Sequence, residues 1–146
     1  MQIKRTRIDT EAAWTARSIG GKAGLERKLT ATELRAFDTA LRNTKGVRPQ
    51  EATADDFSDP AIVELTDWLG DTIRHGRGAA LLTGITRDTH SEEEMERIFW
   101  GIGCRLGYPV EQSMLGDRLG HVQHVKDDPV ARGYRSNEEQ IGRAHV

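Results

Sequence analysis

Gly78-Ala-Ala-Leu-Leu-Thr-Gly-Ile85 is the stretch on which the fold turns. It is short, apolar and bounded by glycine, so it reads as a buried strand. The segments on either side carry the 3.6-residue period of helices. Upstream, Asp59-Pro60 opens a helix: Asp59 can cap, and Pro60 suits a first turn whose N–H has no intrahelical partner. Ile62, Leu65, Leu69 and Ile73 then form a stripe that Trp68 widens, and Arg74, His75 and Gly76 close it. Downstream, Ser91 and Glu94 have capping-box spacing, with Glu92, Glu93 and Glu94 at the positive end of the helix dipole. Met95, Ile98, Phe99, Ile102 and Leu106 give the second stripe, Gly107 its C-cap and Pro109 its stop. Trp100 lies off that stripe, where it can contact a neighbour.

One more helix precedes these. Thr30-Ala-Thr-Glu33 is a capping box, and Leu34, Phe37, Ala40 and Leu41 share a face before Gly46 and Pro49. Residues 1–28 form an N-terminal extension. Ile3 and Ile8 are spaced for a short strand, Trp14 anchors the segment, and Gly20, Gly21 and Gly24 read as a flexible connection. Past the last helix, residues 119–125 alternate as a strand would, and Asp127-Asp128-Pro129 signals a turn. The expected order is helix, helix, strand, helix, strand. The expected class is α+β with an unfinished sheet.

Composition narrows the function. The chain has 146 residues and a formal net charge of −2, which argues against a general nucleic-acid or membrane-surface role. Lys4-Arg5-Thr6-Arg7 is followed by Asp9 and Glu11 and reads as a solvated edge. Hydrophobic residues make up 36%, low for a soluble domain, which fits a large surface or a missing core partner. The single cysteine, Cys104, and the lack of an apolar leader or span fit a cytoplasmic protein without membrane partners.

Individual residues offer little chemistry. His121 and His124 on one strand would point to opposite faces, and His75, His90 and Cys104 have no paired ligand spacing, so no metal site is expected. Cys104 reads as a small helix residue. The acids at Asp55, Asp56, Asp59 and Glu92–Glu94 stand beside helix starts, where capping explains them. Gly101-x-Gly103 lies in a helix pattern and is no dinucleotide fingerprint.

Three segments in series carry more. Gly76-Arg-Gly-Ala-Ala-Leu-Leu-Thr-Gly-Ile85 is followed by Phe99-Trp-Gly-Ile-Gly-Cys-Arg-Leu-Gly-Tyr-Pro-Val-Glu-Gln112. Then comes residues 116–139, GDRLGHVQHVKDDPVARGYRSNEE. In order and spacing they resemble the taurine dioxygenase-like (TauD/TfdA-like) family of iron(II)/2-oxoglutarate dioxygenases, over about residues 29–139. The resemblance implies the N-terminal helices and first strands of a double-stranded β-helix, or jelly roll. It implies iron(II), held by two histidines and a carboxylate, and 2-oxoglutarate as cofactors of the complete protein, which would hydroxylate a small organic substrate.

The family's His-x-Asp metal motif should begin a few residues after Glu139, yet the chain contains no His-x-Asp. Catalytic and metal residues are therefore expected to be missing, and no cofactor is expected to bind the residues present. Tyr134 and Asn137 match the run before the motif and are the substrate-pocket candidates. The last seven residues, Gln140-Ile-Gly-Arg-Ala-His-Val146, are what a common sequencing adapter would encode, so residues 140–146 read as a non-native tail. The rival expectation is a small non-enzymatic α+β module that binds a partner through its amphipathic helices.

Overall fold

The computed structural model describes residues 10–112, 116 and 118–120. The chain divides into two compact units, Met1–Pro109 and Val110–Val146, and every regular element described belongs to the first. In the second unit Gln112 Nε2 donates to Val110 O at 3.2 Å. The strand expected at 119–125 falls largely outside the described residues, as do Ile3, Ile8 and the turn at 127–129.

Five elements follow in order: β1 (Glu26–Lys28), α1 (Ala31–Asn43), α2 (Pro60–Arg74), β2 (Leu81–Thr83) and α3 (Glu92–Leu106). Among the described residues the fold is thus mixed helix and strand, with three α-helices. β1 and β2 pair in parallel, Glu26 opposite Leu81 and Lys28 opposite Thr83. Leu81 N donates to Leu25 O and Leu29 N to Thr83 O, so the ladder continues one bond past each end. β1 lies inside the stretch read from sequence as an extension. Glu-Arg-Lys has no apolar alternation to announce a strand; pairing with β2 makes it one. Gly20, Gly21 and Gly24, read as a flexible connection, contribute to a single 3-10 turn at Gly21–Gly24. β2 is shorter than the apolar run around it because Gly78 and Gly84 take φ of 76° and 123° and turn the backbone at either side.

The helix starts follow the sequence. In α1 the Thr30 side chain accepts from Glu33 N while the Glu33 carboxylate accepts from Thr30 N, and Ser91 and Glu94 do the same for α3. Asp59 Oδ1 accepts from Ala61 N at 2.9 Å with Pro60 in the first turn of α2. The Ser91 backbone N–H, donating to the Glu94 carboxylate, holds that carboxyl below its ordinary value, and the Ser91 side chain adds to the effect. A depressed carboxyl stabilises the fold above its unfolded value and loses that contribution as pH falls through the folded one. Thermal midpoints measured downward from about pH 4.3 should therefore fall less steeply in Glu94→Gln than in the parent. Parallel slopes would mean the box contributes nothing.

The core lies where α1, α2 and α3 meet two 3-10 turns, Pro49–Glu51 and Asp55–Phe57. Phe37, Phe57, Ile62 and Leu65 are fully buried, with the Phe37 and Phe57 rings 6.5 Å apart and tilted by 54°. α2 buries Ile62, Leu65, Thr66, Leu69 and Gly70, one face at helical spacing. Trp68 and Ile73, expected on that stripe, are instead 38% and 45% exposed.

α3 departs further from expectation. Its buried residues are Arg97, Ile98, Trp100 and Gly101, whereas Phe99 is 67% exposed. Trp100, read as off the stripe, is inside, where its indole Nε1 donates to Ala52 O at 2.9 Å. The helix is rotated toward the face that can meet the 3-10 turns. Gly101 permits this: a Cβ there would lie 2.5 Å from the Phe57 ring carbons, while a Cβ at Gly103 meets nothing within 4 Å. The two glycines should respond in opposite directions. Gly101→Ala is expected to destabilise by about 1–3 kcal/mol through overpacking. Gly103→Ala should stabilise by about 0.5–1 kcal/mol through helix propensity alone. Urea melts of both variants test the packing, and equal effects of one sign would contradict it.

Candidate functional site

Tyr134 and Asn137, the substrate-pocket candidates, and His121 and His124 lie outside the described residues. The remaining sequence candidates are placed apart. His75 follows the last residue of α2 and is exposed, its N–H donating to Asp71 O. Cys104 lies half-buried on α3, its Sγ 3.9 Å from Ala52 O, and burial pushes its thiol up. A raised thiol is a poor nucleophile at neutral pH, which fits a packing role. Among the described residues, no three His, Cys, Asp or Glu side chains stand where they could share a metal ion.

His90 has a more definite setting. It precedes the Ser91 cap, and its side chain is only 10% exposed. Nε2 is 3.4 Å from Asp38 Oδ1 on α1, and Nδ1 is 2.8 Å from Thr89 Oγ1. A carboxylate, an imidazole and a hydroxyl in line invite comparison with a nucleophile relay. The surroundings do not complete one. Thr89 Oγ1 also bonds Thr86 O at 3.1 Å and Thr86 Oγ1 at 3.2 Å, so the hydroxyl is held in the local turn. None of the three residues lines either cavity described below. The arrangement closes the loop into α3 and ties it to α1.

A cavity of about 320 Å³ opens at the C-terminal end of α2, with Glu11, Glu26, Trp68, Asp71, Thr72 and Arg77 among its walls. Its rim is fastened by Arg77: Trp14 Nε1 donates to Arg77 O at 2.7 Å, and the Arg77 guanidinium donates to Gly24 O. This is the anchoring role expected of Trp14. Three carboxylates face one guanidinium, and the carbonyl end of α2 adds partial negative charge. Such a cavity disfavours a dicarboxylate such as 2-oxoglutarate. A second, of about 390 Å³, is lined by Arg48, Pro49, Gln50, Glu51 and Glu96. There Arg48 and Glu51 already pair, which lowers the Glu51 carboxyl through the hydrogen bond to Arg48.

Two polar clusters that the sequence reading passed over turn out to be structural joints. Arg27 of β1 donates to Glu33 of α1 at 2.7 Å, and its guanidinium carbon lies 4.3 Å from the ring centroid of Trp68 on α2. One side chain thus joins three elements by an ion pair and a cation–π contact. Arg97 is buried and donates to Val47 O from Nε and Nη2, at 3.1 and 2.8 Å. Glu93 and Arg97 stand four apart on α3, a spacing visible in sequence. The Arg27–Glu33 pair and the Val47 carbonyl had no local signal.

The polar joints hold the elements together, and the exposed large apolar side chains include Tyr108, Phe99, Ile73 and Trp68. No helix among the described residues is long and apolar enough to cross a membrane. No family model matches the chain, and a search of curated proteins finds no match.

Proposed function

We propose that this chain is the N-terminal part of an iron(II)/2-oxoglutarate dioxygenase of the taurine dioxygenase-like family. The complete protein would be an oxidoreductase that hydroxylates a small organic substrate, its sheet completed as a jelly roll. The observation that carries this reading is the series of three segments, 76–85, 99–112 and 116–139, in family order and spacing. β2 between α2 and α3 is compatible with it. The described residues do not fit an iron centre, so no chemical step is assigned to them. Iron, when bound by the complete protein, would activate oxygen for the hydroxylation, with ligands supplied from beyond Glu139.

The experiment is to sequence the native locus past the codon for Glu139. The expected result is a reading frame that continues into His-x-Asp within a few residues. A stop codon at that point would sink the proposal. In parallel, the chain itself should show no stoichiometric iron binding with 2-oxoglutarate and no 2-oxoglutarate-dependent turnover.

A non-enzymatic binding module draws support from one observation, the open apolar side chains of Phe99, Ile73 and Trp68. A module of that kind folds cooperatively by itself. A truncated jelly roll leaves strand edges unpaired, so its melt should depend on protein concentration. A thermal melt of residues 1–139 separates the two.

A further inference from the structure

We draw no further inference here: the strongest candidate, the acid-lined cavity at the C-terminal end of α2 between Glu11, Glu26, Trp68 and Asp71, rests on a cluster of carboxylates with no second observation in the structure to say what it would hold.

Discussion

Phe57→Ala is expected to cost about 3–5 kcal/mol, the usual range for removing a fully buried ring. Phe57 is 0% exposed although it sits in a three-residue 3-10 turn, Asp55–Phe57. Its ring lies against the bare backbone of Gly101 on α3 and faces Phe37 on α1. Nothing on α3 at that point can swing inward, because Gly101 has no side chain. The void should therefore stay open. Against a total stability of about 5–15 kcal/mol for a small domain, the loss is about a fifth or more. The urea midpoint should fall with the slope unchanged. Phe57→Leu, which keeps most of the volume, should cost under about 1.5 kcal/mol. In that background the cost of Gly101→Ala should shrink, since the two sites touch and their effects couple. A Phe57→Ala loss below about 1 kcal/mol would show that the turn is not seated on α3 as described.

The same contact explains why α3 was harder to read than α1 or α2. Capping is local chemistry: Thr30 with Glu33 and Ser91 with Glu94 announce themselves at a fixed spacing, and both boxes form. The inward face of a helix is decided by what it meets. A hydropathy stripe ranks Phe99 above Arg97 and Gly101, which predicts Phe99 inside and Trp100 at the margin. The 3-10 turns reverse that order. They offer a carbonyl for Trp100 at Ala52 and a ring for Gly101 at Phe57, and the loop before them offers a carbonyl for Arg97 at Val47. Those partners lie about 40 to 50 residues away in sequence, beyond any local pattern. β1 was missed for a related reason. Its three residues are charged, and only the pairing with β2 makes them a strand. The candidate site was legible only as a resemblance, since its pocket candidates, Tyr134 and Asn137, have no local pattern of their own, and both lie outside the described residues. The exposed Phe99 fits both proposed readings, a core partner still to come or a surface for a binding partner.

Arg97→Ala should destabilise by about 3 kcal/mol, and the reason distinguishes it from an ordinary ion-pair loss. Arg97 is 3% exposed, and two of its nitrogens converge on one carbonyl, Val47 O. Hydrogen bonds from a charged donor contribute about 1.5–3 kcal/mol each, less when they share an acceptor, and the carbonyl left behind loses both. The second partner, Glu93, is 63% exposed at its side chain. A pair with so open a carboxylate is worth well under about 1 kcal/mol. Glu93→Ala should accordingly be nearly silent while Arg97→Ala is not. Arg97→Lys keeps the charge and loses the fork, so it should recover less than half of the loss. Arg97→Met keeps the aliphatic stem and should fall between Lys and Ala. Salt separates the causes once more. Screening weakens an exposed ion pair but leaves a buried bond to a carbonyl nearly untouched. The gap between parent and Arg97→Ala should therefore persist at about 1 M salt. Were it to close there, or were Glu93→Ala to cost as much as Arg97→Ala, the joint between α3 and the Val47 loop would be an ion pair instead of a bonded carbonyl.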